Sequence, residues 1–500
     1  MMTTASRLLV IDEGTTGTRA LVFDGTGTIR SRAYSEFTQH HPAADRVEHD
    51  PEEIWQLTSA RIAEALRLDD TEPAALSAVG ITNQRATTVL WDRTTGEAVA
   101  PAIVWQDLRT AAMAAGLQPE WGRTVQARTG WTLAPVYSSL SLCWMLENDR
   151  DLARRAEAGE LAFGTVDSWL VHRLTGGAVH AISASNAAVT GAYDLLTDSW
   201  YREWLGALGL PLSLFPEVVD DSGLIGTTDA AVIGAEIPIT AAIADQSAAL
   251  FGQGCVRPGD AKTTHGTGTF LDVNTGTAPV ISRHGLSTII GWRRNGVTTY
   301  GLEGYAPVTG SAVQWLRDGA QLLTSAAETE DLARGVQDNN GVFFVPALTG
   351  LGAPSWDSSA RGLLIGLTPG TTRGHLARAA LEGIVYSIKD FIELMSEESG
   401  RAVTTLRADG GASANDFLLQ FQADMLGATV HRPSNVEATA SGAAYLAGLA
   451  AGIWSDPQDC FRGTDGDAVF TPSMDHASRD ANYAQWQRAV ERAKGWAVQP

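Results

Sequence analysis

One local pattern occurs twice in this chain, and it limits the fold more than any other feature. In its first copy Arg7 to Asp12 is a short apolar run, Gly14 to Thr18 is a tip of glycine and threonine, and Arg19 to Asp24 is apolar again. Two extended runs around a polar, glycine-bearing tip read as a β-hairpin. From Asp260 the stretch DAKTTHGTGTFLDVNTG sets a second such tip between a short approach and an apolar run. The repeat predicts a duplicated fold.

Length agrees. At 500 residues the chain exceeds what one hydrophobic core covers, since such cores stop growing near roughly 250 to 300 residues. We expect two domains, 1–252 and 253–500, with the boundary between Ala249 and Pro258, after a strand at Ile239 to Asp245. Strand-like Leu76 to Thr82 and helical patterns at Asp50 to Leu66 and Thr372 to Ser396 indicate α/β layers with helices on the sheet faces. A third glycine-rich turn, RADGGASAN at Arg407 to Asn415, leads from a strand-like segment into the helix-like NDFLLQFQADML. A strand passing through glycines into a helix start suits an anion or nucleotide. The polar stretch after Trp454, ending in a helix at Ser478 to Gly495, reads as a closing appendage.

A formal net charge of −21 argues against nucleic-acid binding, which needs a basic stripe to replace counterions. Lys262, Lys389 and Lys494 are the only lysines, so an anionic ligand must be met by backbone donors, single arginines or a divalent cation. Cys143, Cys255 and Cys460 are too dispersed for a disulfide framework or a metal cluster. The opening MMTTASRLLVIDEG lacks the apolar segment of a secretory signal, and no stretch approaches the ~20 apolar residues of a membrane span. A cytoplasmic protein is expected.

The Gly-Lys-Ser/Thr ending of a P-loop is absent, so phosphates must be cradled by the hairpin tips. Glycines let backbone N–H groups approach closely and threonine hydroxyls add donors. Thr15, Thr16, Gly17 and Arg19 on one side would then face Gly266, Thr267 and Gly268 across a cleft. Asp12, where a strand ends against the first tip, is placed to hold hydrated Mg2+, or else to cap the turn. Asp245 ends the apolar run PITAAIA and precedes QSAALFG; it is either a helix N-cap or the base that takes a proton from an attacking hydroxyl.

These residues belong to a longer series: VIDEGTTGTRA, VEHDPEEIW, GITNQRATT, AIVWQD, GTVDSWL, IADQSAALFGQ, HGTGTF, VQWLRD, VPALTGLGAPSWDSSARGLLIGLT, RADGGASANDFLLQFQADMLG and GAAYLAGLA. In that order they resemble the FGGY carbohydrate kinases over essentially the whole chain, most closely the glycerol-kinase branch. The resemblance implies two actin- or hexokinase-like (ribonuclease H-like) α/β domains closing over ATP, with Mg2+ required, acting on a small polyol or sugar, and often assembled as dimers or tetramers. Carried over residue by residue, Thr15, Thr16, Gly17 and Arg19 correspond to phosphate contacts, and Thr267, Gly310, Gln314, Gly411, Ala412 and Asn415 to the rest of the nucleotide site. Asp245 corresponds to the catalytic base, with Asp12 beside it at the metal. Arg85, Trp105, Asp245, Gln246 and Phe270 correspond to positions around the substrate.

Two substrate positions depart from the pattern. NQRATT places Ala86 where the family has a glutamate that accepts from substrate hydroxyls, and Ala134-Pro135-Val136 replaces Asp-Pro-Tyr, so a tyrosine hydroxyl is missing at Val136 unless Tyr137 supplies it. A site built to bond a hydroxyl discriminates by roughly 10⁴ to 10⁵, so these exchanges predict altered preference: a roomier, less polar pocket for a longer polyol, a ketose or a partly deoxygenated substrate. His265, Glu13 and Leu108 replace the usual Tyr, Gln and Arg, and IGAEIPI lacks the arginine of a known allosteric loop. The alternatives are a true glycerol kinase with a water in the glutamate's place, a non-catalytic actin-like ATP-binding protein such as a chaperone or filament, and a kinase-derived regulator without turnover.

Overall fold

The structure is a computed structural model, describing residues 6–435, 437–461 and 466–497; residues 1–5 of the amino-terminal stretch lie outside the described residues. Thirteen strands form one sheet. In chain order they are β1 (Arg7–Glu13), β2 (Gly17–Asp24), β3 (Ile29–Glu36), β4 (Leu76–Asn83), β5 (Ser222–Thr227) and β6 (Pro238–Ala244). The second half adds β7 (Ala261–His265), β8 (Thr269–Gly276), β9 (Ser287–Arg294), β10 (Val297–Ala306), β11 (Thr405–Asp409), β12 (Thr429–Arg432) and β13 (Ala468–Phe470).

The duplication is explicit in the pairing. β1 runs antiparallel to β2 and β2 to β3, while β1, β4 and β6 are parallel neighbours. Likewise β7 runs antiparallel to β8 and β8 to β10, while β7, β11 and β12 are parallel neighbours. Each half thus repeats a five-stranded unit of one topology. Two further strands join the units, β5 beside β6 and β9 beside β10, and they touch through a single pair, Ser222 and Arg294.

Six helices position the site: α1 (Pro51–Leu68), α2 (Asp245–Gly252), α3 (Arg373–Ser399), α4 (Asp416–Leu426), α5 (Ala438–Ala450) and α6 (His476–Ala493). α1 starts where Asp50 caps the Glu52 N–H and Pro51 occupies the first turn, a position that tolerates the missing N–H. Its Ile62 and Ala65 join Leu9, Ile11, Val79 and Ile81 under the first sheet unit. α3 buries Ile384, Val385 and Ile388 with Leu271 and Leu302 under the second.

The other two long contacts cross between halves. α5, ATASGAAYLAGLA, is small and apolar all round, as a helix buried on every side must be. It packs on β1, β4, β5 and β6 of the first half, where the Ser222 and Thr240 hydroxyls donate to its Leu446 and Ala447 carbonyls at 2.8 and 3.0 Å. α2, from the first half, contacts β8 and β9 of the second. The exchanged helices touch: a Cβ on Gly442 would lie 1.9 Å from the Ala248 carbonyl, and one on Gly252 2.0 Å from that of Ala438.

The expectation of a closing appendage at the C-terminus needs correction. Trp486 of α6 is fully buried and stacks on Tyr386 of α3 at 5.3 Å, so the last helix completes the second core. Among the described residues, no helix is long and apolar enough to cross a membrane.

Candidate active site in the cleft between the halves

Both hairpin tips are closed by backbone hydrogen bonds, Gly14 N–H to the Gly17 carbonyl at 3.0 Å and Gly266 N–H to the Gly268 carbonyl at 2.8 Å. The glycine ending each tip admits a close approach. A Cβ on Gly17 would come within 2.4 Å of the Ser35 carbonyl and against the Tyr34 ring; one on Gly268 would come within 2.6 Å of the Ala306 carbonyl and against Tyr305. The halves therefore repeat a glycine–tyrosine contact as well as a topology.

At the first tip Thr16 is exposed, and the Thr15 hydroxyl accepts from Trp105 Nε1 at 3.0 Å. Arg19 is ion-paired with Asp12 and, at 2.6 Å, with Glu437 of the other half. Burial lifts the Asp12 pKa to about 6 against the pull of Arg19, and the nearby Asp245 carboxylate adds to the rise. The two acids therefore share a region of negative potential.

Beside the second tip lies a pocket of about 530 Å3, lined by Gly266, Thr267, Gly310, Gln314, Gly411, Ala412 and Asn415. Of the nucleotide residues expected on this side, Gly268 alone does not line it. Gly310 is dictated by contact, because a Cβ there would lie 2.6 Å from the Gly266 carbonyl. Val313, Leu381 and Ile384 make an apolar slot, while Gln314, Thr329 and Asn415 supply polar groups, the balance that suits a flat heteroaromatic ring. Asn415 also caps α4, accepting from the Leu418 N–H at 2.9 Å. His265 is fully buried between Thr263, Thr269 and Gln422, and burial lowers its pKa to about 4, so it is a neutral wall residue.

At the substrate end Asp245 opens α2. Ala244 occupies the cap position, so Asp245 is the first helical residue and not the N-cap. Its Oδ1 accepts the Gln246 N–H at 2.6 Å and lies 3.4 Å from Arg85 Nε. Burial pushes its pKa up while Arg85 pulls it down. Arg85 is held in turn by Glu303 at 2.7 Å and lies over the Trp131 and Phe270 rings, each centroid 5.8 Å away. Trp105 is partly exposed beside the first tip, and Phe270 meets Tyr305 with centroids 4.6 Å apart and the rings tilted by 35°. The structure thus gathers Arg85, Asp245 and Phe270 about one guanidinium, with Gln246 adjoining.

The two departures sit differently. Ala86 is buried with a left-handed φ of 60°, its carbonyl accepting from the Ser138 hydroxyl at 2.8 Å. Val136 packs against the apolar cluster of residues 90–215. Tyr137 does not replace the missing tyrosine, and its assignment to the substrate is corrected here. Its ring is fully buried, and its hydroxyl donates to the Trp131 carbonyl at 2.6 Å.

Sequence reasoning missed Lys262, Asp272, Glu303 and Trp131. Lys262 is buried, ion-paired with Asp272 at 2.6 Å, and donates to Gln246 Oε1 at 2.8 Å. The hairpin register would have found the pair: counting back from the glycine tip sets Lys262 opposite Asp272, and opposed charges at buried strand positions require a partner. Trp131 carries no such signal; its Nε1 donates to the Thr288 carbonyl at 2.8 Å, tying the first half's loop to the second.

Comparison with known proteins agrees with this layout. Residues 7–252 match the N-terminal domain of the FGGY family of carbohydrate kinases, and residues 261–451 its C-terminal domain. The chain is 50% identical over 491 residues to the glycerol kinase of Dechloromonas aromatica (strain RCB), covering 98% of each chain. It is 47% identical to glycerol kinase 2 of Thermotoga maritima, covering 98% of this chain and 99% of that one. The structure of Plasmodium falciparum glycerol kinase with ADP superposes with a TM-score of 0.95 at 31% identity over 99% of both chains. Xylulose kinase from Lactobacillus acidophilus shares the fold, with a TM-score of 0.87 at 20% identity over 97% of each.

Proposed function

The chain belongs to the FGGY family of carbohydrate kinases and is an enzyme that transfers a phosphoryl group from ATP to an alcohol; from that premise we propose that Asp245 is its base and that the acceptor is a small polyol or sugar with a terminal hydroxymethyl group. The observation carrying this reading is Asp245 itself, a half-buried carboxylate at a helix start, 3.4 Å from Arg85 in the cleft. Such a group takes the proton as the hydroxyl oxygen attacks phosphorus, and its raised pKa improves its match to that proton. Arg85 keeps the carboxylate aimed, Gln246 and Trp105 orient the substrate, and Phe270 covers its carbon face.

ATP belongs with its base in the apolar slot and its phosphates between the tips, against Thr15, Thr16 and Gly17 on one side and Gly266, Thr267 and Gly268 on the other. Arg19 can join them once Asp12 has another cation. Mg2+ fits Asp12 and Asp245, since oxygen donors suit a hard cation and the Asp245 carboxylate is close enough to raise the pKa of Asp12. The ion would be held largely through water and would neutralise charge on the transferring phosphoryl group. We place the division between halves at Gly252/Gln253 and the protein in the cytoplasm, the latter supported by the lack of a membrane-spanning helix among the described residues.

Ala86 and Val136 remove two polar side chains from the substrate wall, which favours an acceptor longer or less hydroxylated than glycerol. The names of the relatives favour a second reading, glycerol itself with water beside Ala86. ADP release with Mg2+ and ATP across glycerol, C4 and C5 polyols, ketoses and deoxy analogues separates them. A larger or deoxygenated acceptor with the highest kcat/KM supports the first reading, and glycerol ahead of all others supports the second. Alcohol-independent ADP release alone would remove both.

A further inference from the structure

The carboxamide of Gln246 is fixed by a neighbour that has no acceptor. Lys262 is fully buried on β7, directly opposite Asp272 on β8, and its ammonium bonds Asp272 at 2.6 Å, Gln246 Oε1 at 2.8 Å and Thr264 Oγ1 at 3.3 Å. Burial alone would lower the lysine's pKa, but Asp272 and Asp409 hold it above its ordinary value, so it stays charged. An ammonium can only donate, so the carboxamide must meet it through oxygen. Gln246 Nε2 is therefore turned away from Lys262, and it makes no hydrogen bond to another described residue. This leaves a free donor one residue from Asp245.

The remaining side chains at this end have the same polarity. The Arg85 guanidinium and the Trp105 indole are donors only, and with Arg85 engaged by Glu303 and Asp245 and Trp105 Nε1 by the Thr15 hydroxyl, Gln246 Nε2 is the donor among them left without a partner. Ala86 and Val136 have no acceptor side chain, and the Tyr137 hydroxyl is used inside the core. The Glu303 carboxylate is spent on Arg85, so among these side chains Asp245 is the acceptor left, and the reaction uses it for the attacking hydroxyl. We propose that Lys262 is a positioning residue that sets the polarity of Gln246, so that the cleft beside Asp245 offers donors only. It then selects an acceptor whose oxygen next to the reacting hydroxymethyl group is a carbonyl. A carbonyl oxygen takes the donors and leaves nothing unpaired, whereas a hydroxyl there keeps an O–H without a partner, a desolvation loss that a ketone avoids. The inference rests on the kinase reading and on placing Gln246 at the substrate end.

Matched pairs test it: kcat/KM for dihydroxyacetone against glycerol and for erythrulose against erythritol, in the full chain with Mg2+ and ATP. The ketone is expected to lead by about tenfold, equivalent to ~1.4 kcal/mol. Gln246→Glu keeps an oxygen toward Lys262 and replaces the donor by a second acceptor, so the ratio should fall by about tenfold or more. Lys262→Met combined with Asp272→Leu removes the ion pair whole, leaves Asp409 its hydrogen bond from Gln253, and frees the carboxamide to turn over; the ratio should move toward parity with KM for ATP unchanged, which a merely structural lysine would not produce. If the double variant does not fold, Gln246→Glu decides the question alone. A wild-type ratio favouring the polyol, or a ratio that neither variant moves, overturns the inference while leaving the kinase reading intact. Absence of alcohol-dependent ADP release with every acceptor would overturn both.

Discussion

At the residue scale, Asp245 shows how one carboxylate is tuned. The Gln246 amide and Arg85 stabilise its charge, while burial opposes that charge and wins, so its pKa lies above the ordinary carboxylate value. A base acts when deprotonated, so kcat/KM should rise with pH through a limb above the usual Asp range near ~4. A pH–rate profile locates it; full activity persisting at pH ~4 would contradict the assignment. Tyr137 supplies a contrasting case. Its hydroxyl bonds the Trp131 carbonyl inside the core, so Tyr137→Phe should cost about 1–2 kcal/mol in denaturant unfolding with the KM for the alcohol unchanged. A several-fold rise in KM without loss of stability would return Tyr137 to the substrate. The sequence exposes residues such as Asp245 and Gly310 because their motifs fix chemistry and backbone approach together. It cannot show whether Tyr137 points into the cleft or the core, since Val136 and Tyr137 are adjacent in the chain and only the local backbone path decides which faces which.

At the element scale, the hairpins were legible because a glycine tip fixes both turn and register, and α1 and α3 because their apolar residues recur at helical spacing. The last helix was legible as a helix, but its role was misread. Its surroundings are polar, and nothing local reveals that Trp486 meets Tyr386 about a hundred residues earlier in the chain. Trp486→Ala should therefore cost about 3–5 kcal/mol, read as a shift in urea midpoint; a loss below 1 kcal/mol on this scale would restore the appendage reading. Asp390 of α3 accepts from the Tyr483 hydroxyl at 2.5 Å and from Trp486 Nε1 at 3.2 Å, holding α6 down. Burial raises its pKa from 3.8 to about 6. Because the folded value exceeds the unfolded one, its contribution to stability is full below pH 3.8 and is lost as pH rises through about 6. Asp390→Asn should accordingly gain on the wild type between pH ~4 and ~7, by about 2–3 kcal/mol. Parallel melting curves across that range check it, and a gain that shrinks with rising pH would contradict the sign.

At the scale of the molecule, each half lends a helix to the other, and the cleft is assembled by bonds across the division. Arg19 meets Glu437, Arg85 meets Glu303, and Gln246 meets Lys262. The duplication could be read from the chain; the exchange of α2 and α5 could not. A helix's composition tells how much of it is buried but not which sheet buries it. The close approach of α2 and α5 depends on Gly442, with the Ala248 carbonyl 1.9 Å from where its Cβ would stand. Gly442→Val should force the helices apart, costing about 1–3 kcal/mol and lowering kcat as the halves lose alignment. Wild-type melting and kcat in that variant would show that the contact does not govern the cleft.

The most direct test of the central claim compares wild type with Asp245→Asn, using the preferred alcohol at saturating ATP and Mg2+. ADP release reports turnover, and calorimetry reports ADP binding. The account predicts alcohol-dependent turnover in the wild type that falls by about 10²–10⁴ in the variant, with ADP affinity unchanged. Turnover within a few-fold of wild type in Asp245→Asn would contradict it, because the carboxylate at the start of α2 would then take no proton.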